Sequence, residues 1–443
     1  MESNQQQQNE KMNTSDKKST TTTKTQSSVL LNQPIIIDQG TYSIKAGFAG
    51  SSKPKAIITN RVGRVKHNRV MPGGALDNTS SSTSSSTAPS SSTKPINPTV
   101  KDSNIYIGNV LDEHSGIFQY EYNMHEGRIQ NYTNMEHTWD YIYKDVLDNV
   151  KYEDHPVLFT EAPYTSMKDR NKLLETWFES YHCPAIYTTP CGILSLYASG
   201  RTTGLVLDVG HGVTSTIPVY EGFALQHSIV QSDIGGYDVV NYLQSMLRVN
   251  HGVCLDRTTA EWEIVRKMKE QIGTVNLPNT NAKEKDNDMN YKLPDGQSIQ
   301  ITSKQRIQAP EVLFQPFTYL GSEQKSVIDC ITTSIQKSDI DLRSTMFNTI
   351  LLAGGSTLFP NFGNRILHDL RSLSSPSSDN IVPPSNRICV YAPQDRIISS
   401  FIGGSILGSL STFKHLWISK EEWDECGSAD CHQLASKFQT VGI

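Results

Sequence analysis

Two stretches of this chain carry the same apolar-to-polar profile. Ile35, Ile36 and Ile37 run into Asp38-Gln39-Gly40-Thr41, followed by a second β-rich run from Ser43 to Phe48. Far downstream, Val206 and Leu207 run into Asp208-Val209-Gly210-His211-Gly212-Val213-Thr214, followed by Ser215 to Tyr220. Each profile predicts a buried strand that breaks at an Asp into a tight glycine turn and returns as a partner strand. Such a turn gathers backbone N–H groups and one carboxylate at one spot. The amides suit phosphate oxygens, and the carboxylate suits Mg²⁺ or its water shell. Two of these hairpins facing each other would clamp a nucleoside triphosphate and its metal. One copy alone would favour an ordinary hairpin with an Asp-Gly turn; duplication favours the clamp.

Elsewhere strand and helix signals alternate. Val157 to Pro163 reads as a strand and then a loop. Met167 to Tyr181 sets Leu173, Leu174, Trp177 and Phe178 on one helical face, with Lys168, Asp169, Arg170 and Lys172 mostly off it. Ala260 to Ile272 predicts a second helix with Ile264, Val265, Met268 and Ile272 as its stripe. Strand-hairpin-helix units in two halves predict an α/β fold, with a mixed, largely buried sheet in each half and helices around it. At 443 residues the chain suits two domains better than one core.

Composition narrows the function classes. A net charge of −5 argues against direct nucleic-acid binding. The seven cysteines are odd in number, scattered and without CxxC spacing, so reduced thiols are expected rather than disulfides or zinc ligands. Cys426, Cys431 and His432 lack a second ligand pair. No apolar run reaches membrane length, and the first residues lack the apolar core of a secretory signal, so a soluble intracellular protein is expected. Residues 1–32 are rich in Gln, Ser, Thr and Lys, with too little apolar surface to offset chain entropy. Residues 78–101, mostly Ser and Thr with Pro, read as a flexible insertion.

The runs around the hairpins resemble the actin family. They include Asp38 to Gly50, Leu194 to Gly204, Val219 to Leu225, Leu293-Pro294-Asp295-Gly296, Ala353-Gly354-Gly355-Ser356-Thr357, Ile402 to Leu407 and Trp417 to Glu422. They span Ile35 to about Gly427 in the family's order, and their departures mark an actin-related protein rather than an actin. The resemblance implies a two-lobed actin-like fold of duplicated ribonuclease-H-like halves, with an interdomain nucleotide cleft and two smaller inserted subdomains. Lobe I would comprise 33–198 plus 399–443, with an outer subdomain at about 60–121 carrying the 78–101 insert. Lobe II would comprise 199–398, with an inserted subdomain at about 235–320. The insert would fall in the loop that grips the next subunit of an actin filament, where a Ser/Thr tract is a poor grip. Charge also enters Phe317 to Lys325, a neighbour-contacting segment in actin. Long homopolymers are therefore not expected.

The same resemblance implies a ligand and its residues. ATP or ADP with Mg²⁺ (or Ca²⁺) would lie between Gly40, Thr41, Tyr42 and Lys45 on one side and Gly210, His211, Gly212 and Val213 on the other. Asp38 and Asp208 would face the metal. Arg266, Lys269 and Glu270, at i, i+3 and i+4, share one helical face near the adenosine; a solvated salt-bridged face would read the same. Gly354, Gly355, Ser356, Leu358 and Phe359 would form the other wall, glycine allowing close backbone approach. Tyr42 replaces a glycine and is expected to narrow the loop. His211 replaces an acid, and Ile397 a lysine that lies against the adenine.

Hydrolysis requires a water held in line with the γ-phosphate. Cys191 stands where actin has the water-positioning Gln, and Ser215 where it has a His. A thiol cannot both donate and accept as an amide does, so slow or absent hydrolysis is expected. Cys191 itself reads better as a packing thiol than as a nucleophile. Two function classes remain open. One is a structural, nucleotide-stabilised subunit of a cytoskeletal assembly in the cytoplasm, or of a nuclear chromatin-remodelling complex. The other is a polymerising ATPase. Expected partners are protein subunits of a larger complex, among them actin or other actin-related proteins, with neither membrane nor nucleic acid. Sugar-kinase-like phosphotransfer would need a catalytic Asp in a substrate loop, and nothing marks one.

Overall fold

The computed structural model describes residues 32–66, 104–277, 288–373 and 387–426. Residues 1–31, the 78–101 insert, Cys431 and His432 lie outside them. The first sheet is built from β1 (Ile35–Gln39), β2 (Ser43–Phe48), β3 (Ala56–Thr59), β4 (Val157–Glu161) and β5 (Ala185–Pro190). The second contains β6 (Gly204–Val209), β7 (Thr214–Tyr220), β8 (Phe223–Ala224), β9 (Ile350–Ala353) and β10 (Val390–Tyr391). A last strand, β11 (Ile418–Ser419), returns antiparallel to β5 on the edge of the first sheet.

The sheets share one order. In the first it is β3-β2-β1-β4-β5, and in the second β8-β7-β6-β9-β10. In each, an antiparallel three-stranded meander is extended by two parallel strands. The duplication reaches single residues. Asp38 pairs with Lys45 and Asp208 with Ser215, each Asp facing the residue seven positions on. Gly40 N–H donates to Ser43 O at 3.1 Å, and Gly210 N–H to Val213 O at 2.9 Å. Two copies of one hairpin therefore end in the same turn.

Helices fill the faces. Leu173, Leu174, Trp177 and Phe178 are buried as their spacing predicts, but the helix is regular only over Met167–Glu175 and widens into a π turn over Thr176–Ser180. Next come α1 (Cys191–Ala198), α2 (Gly236–His251), α3 (Thr259–Ile272) and α4 (Ser399–Ser409). A reciprocal cap starts α3: Glu261 N–H donates to Thr258 Oγ1 and Thr258 N–H to Glu261 Oε2, both at 3.2 Å. Its stripe Val265, Met268 and Ile272 is buried in the second half's core, with Ile264 partly covered there. Among the described residues no helix is long and apolar enough to cross a membrane.

Between the sheets lies a shared core of Ile36, Leu158, Leu194, Leu196, Val206, Ile217, Leu351, Phe401 and Leu407. It exists because α1 and α4 cross in near-contact. A Cβ on Gly403 would meet Leu194 O at 1.8 Å, and one on Gly404 would meet the Ile36 side chain at 3.0 Å. A smaller sheet of Arg61–Val65, Ile105–Tyr106 and Phe118–Tyr122 stands out from the first half. It meets α3 across the cleft, where Tyr120 N–H donates to Thr259 Oγ1 at 3.0 Å.

Because the colliding atom at position 403 is backbone, Gly403→Ala must push the two helices apart. Overpacking of this kind costs about 3 kcal/mol or more. Urea unfolding should show that loss for Gly403→Ala. Gly116→Ala, with nothing within 4 Å of its added Cβ, should stay within about 0.5 kcal/mol of wild type.

Candidate functional site

Both hairpin turns open into one cavity of about 520 Å³, a volume in the range of small-molecule sites. Asp38, Gly40, Thr41, Tyr42 and Lys45 line it from the first half, and Asp208, Gly210, His211, Gly212 and Val213 from the second. Helix α3 contributes Arg266, Lys269 and Glu270, and the turn after β9 contributes Gly354, Gly355, Ser356, Leu358 and Phe359. Cys191, Ser215 and Ile397 also line it. Every candidate residue of the sequence analysis thus borders the same space.

The two carboxylates sit in unlike surroundings. Asp38 accepts from Thr160 Oγ1 at 2.8 Å and lies 3.1 Å from Lys45 Nζ, its cross-strand partner. Asp208 accepts from the Cys191 thiol at 3.0 Å. Burial holds its carboxyl above the ordinary range and Asp38 adds to this, while the thiol and Lys45 oppose it. Burial, then Asp208, pushes the Cys191 thiol well above its usual range. It is therefore a protonated donor to Asp208, not a thiolate nucleophile. Gly354, at φ +84°, passes beside Asp208 where a Cβ would lie 2.3 Å from Oδ1. Only glycine allows that approach.

His211 brings no charge to the second turn. Burial first, then Lys269 and Arg266, lowers its pKa to about 3. Its ring centroid lies 5.1 Å from that of Tyr42 and 5.6 Å from that of Trp262. Tyr42 does not simply narrow its own loop. Its ring reaches across the cleft, its hydroxyl 3.2 Å from Glu263 Oε2 and its face 4.4 Å from the Arg266 guanidinium carbon. Arg266 also donates to Glu263 at 2.8 Å and Glu270 at 2.5 Å. Lys269 is buried, donates to Gly236 O at 3.3 Å, and is lowered by burial to a pKa of about 8. Arg266 and Lys269 are buried, so this is no solvated charged face; only Glu270 is exposed.

Phe359 is buried, and α3 ends against it: a Cβ on Gly273 would fall 2.5 Å from its ring. Ser356 Oγ donates to Gly210 O at 2.8 Å, tying this wall to the second turn. Among the lining residues missed from sequence, two support the site directly. Thr160 orients Asp38, and Arg396 braces the Gly354–Phe359 turn through Thr357, its Nε donating to Oγ1 at 3.0 Å and its Nη2 to the carbonyl at 3.1 Å. The break from strand to Glu161-Ala162-Pro163 was the available signal for Thr160; none marked Arg396.

The lining combines carboxylates, lysines and glycine turns with the apolar side chains of Leu358, Phe359, Pro360 and Ile397. This mixture fits a ligand that carries both an anionic, metal-bearing group and a flat apolar one. Among the described residues no group of three or more His, Cys, Asp or Glu is placed to hold a metal. A Mg²⁺ near Asp38 and Asp208 would need water and ligand oxygens to complete its shell, as is usual for that ion with phosphates.

Two halves of one topology, with matching Asp-bearing hairpins turned toward a common cleft, define a two-lobed α/β fold. The sequence model of the actin family matches residues 29–436, and the chain belongs to the actin family. It is similar to Centractin of Saccharomyces cerevisiae, with 37% identity over 407 residues covering 90% of this chain and 96% of that protein. Within the family it is a divergent actin-related protein.

The neutral His211 has a thermodynamic consequence. An unfolded His takes up a proton below pH 6.5, while His211 resists protonation until about pH 3. Acid therefore favours the unfolded chain, and this contribution is lost as pH falls from 6.5 toward 3. At about 1.4 kcal/mol per pH unit, and allowing for the open cleft, His211→Gln should lose about 1–2 kcal/mol less stability than wild type between pH 7 and pH 5. Denaturant melts at the two pH values measure it.

Proposed function

We propose that the cleft binds an adenine nucleotide, ATP or ADP, with Mg²⁺ (or Ca²⁺), and that the ligand serves structurally in a subunit of a cytoskeletal assembly. The observation that carries this reading is the pair of hairpins, in equal register, whose turns and carboxylates line one cavity. The amides of Gly40–Tyr42 and Gly210–Val213 would meet phosphate oxygens, with Lys45 as the cation beside them. Asp38 and Asp208 would hold the metal's waters. Arg266, Lys269 and Glu270 would border the ribose, and the base would lie along Gly354, Gly355, Ser356, Leu358 and Phe359.

Hydrolysis is weak or absent in this reading. Cys191 spends its one proton on Asp208, so it offers an in-line water no paired donor and acceptor. Ser215 is buried opposite Asp208 in the hairpin and has no basic nitrogen to take a proton. Actin-family membership, and similarity to a protein named Centractin, support a cytoplasmic cytoskeletal role. The partners are protein subunits of a larger complex, including actin or other actin-related proteins.

Thermal unfolding with and without MgATP tests the binding. At a hundredfold excess over Kd, stability should rise by about 2.7 kcal/mol. Superimposed melts from protein that also carries no co-purified nucleotide would remove the reading. Single-turnover phosphate release tests the chemistry. The rate should be far below that of filamentous actin and should rise in the Cys191→Gln/Ser215→His double variant. Each single change should do little, because residues that hold one water act as a unit. Actin-like turnover in the unaltered chain would show that hydrolysis does not depend on these positions.

A further inference from the structure

The mouth of the cleft holds a charged cluster that the phosphate clamp does not require. Arg61 begins the central strand of the small outer sheet and is only 1% exposed. Its guanidinium carbon lies 4.0 Å from the Tyr120 ring centroid, and Nη2 lies 2.7 Å from Asp112 Oδ1 on the same side of the cleft. Nη1 reaches across to α3, 2.7 Å from Glu263 Oε1. Glu263 is itself 4% exposed and is shared by several groups. Tyr42 donates its hydroxyl to Oε2 at 3.2 Å, Tyr122 donates to Oε1, and Arg266 donates from α3 at 2.8 Å.

Three side chains of the first half thus converge on one carboxylate of the second. Burial alone would raise the Glu263 carboxyl, but Arg61 and Arg266 outweigh it and keep Glu263 below its ordinary range. Arg61 and Glu263 form a short ion pair in which Nη1 is not aligned as a hydrogen bond, and the charge-assisted hydrogen bonds to the carboxylate come from Tyr42, Tyr122 and Arg266. Asp112 and the Tyr120 ring hold Arg61 from its own side, so little ordering is lost when the contact forms. Opening the cleft would separate Arg61, Tyr42 and Tyr122 from Glu263 together. It would also break the adjacent hydrogen bond from Tyr120 N–H to Thr259 Oγ1.

We propose that Arg61, Tyr42 and Tyr122, acting on Glu263, latch the cleft mouth whether or not nucleotide is present, and thereby set the rate at which nucleotide exchanges. The first part concerns contact between the halves alone; the second rests on the nucleotide reading above. Tyr42 gives the two parts a physical connection. It is both a residue of the first clamp turn and a donor to Glu263, so displacement of the latch pulls on the loop that would face the phosphates.

Two readouts on the full chain separate these parts. The Tyr120 amide, bonded across the cleft to Thr259 Oγ1, reports opening by hydrogen exchange without any ligand. Release of bound etheno-ATP, chased with excess ATP, reports residence time. In Arg61→Leu the Tyr120 amide should exchange about tenfold faster and etheno-ATP should leave about tenfold faster, corresponding to about 1.4 kcal/mol. The Leu207 amide, deep in the second sheet, should stay protected, which verifies folding. If Arg61→Leu fails to fold, the Tyr42→Phe/Tyr122→Phe variant keeps both rings, removes both hydroxyls, and should show the same changes at about threefold. Tyr120 protection within twofold of wild type in a folded variant overturns the latch. A labile Tyr120 with unchanged release overturns its control of exchange. A labile Tyr120 in a protein that binds no etheno-ATP supports the latch and overturns the nucleotide reading instead.

Discussion

Two carboxylates end the central strands of the two sheets, and each is largely withdrawn from water. A buried carboxylate must be neutralised, hydrogen-bonded or protonated, and the two halves meet this constraint differently from one hairpin geometry. In the first, the cross-strand partner is Lys45 and the parallel neighbour supplies Thr160. In the second, the cross-strand partner is Ser215, and the donor is a thiol from the start of α1. The remaining walls follow from these choices: Gly354 passes because Asp208 occupies the space, and Ser356 closes on Gly210.

The asymmetry changes what the cavity is suited to do. The first turn has a cation beside its carboxylate, while the second carries a neutral His and a thiol already committed to Asp208. Lys45, Lys269 and Arg266 bring positive charge to the lining, which suits an anionic ligand. Holding a phosphate requires fixed dipoles and cations. Cleaving it also requires a correctly oriented nucleophile. A site can keep the former and lose the latter through a few side chains, with the backbone turns unaltered.

The parts legible in the sequence were those written locally. The strand-Asp-Gly profile and the 3.6-residue stripe of α3 depend on neighbours within a turn or two, and both formed as predicted. The Met167 helix was right in its buried face and wrong in its regularity, since the π turn shifts the backbone while Trp177 and Phe178 stay in the core. Contacts made by distant segments were not legible. Thr160 matters only because β4 lies parallel to β1, and Arg396 only because it folds back onto Thr357. Tyr42 was judged by bulk alone. A hydroxyl on a long ring seeks a polar partner, and that partner, Glu263, is 221 positions away in the chain.

The same contact joins the cleft mouth to the first hairpin turn. The first turn is narrow, closed by Gly40 N–H on Ser43 O and by Asn60 Nδ2 on Gly40 O at 2.9 Å. Asn60 directly precedes Arg61, and Asn60 N–H donates to Tyr42 O at 2.7 Å. The backbone of the clamp turn is therefore bonded to the residue beside the one that holds Glu263. Displacing Arg61 from α3 would therefore bear on the bonds that shape Gly40–Tyr42, and a ligand that fixed those amides would bear on Arg61. Such coupling would need no long pathway. It would follow from two adjacent residues, Asn60 and Arg61, of which one is tied to the turn and the other to the opposite lobe.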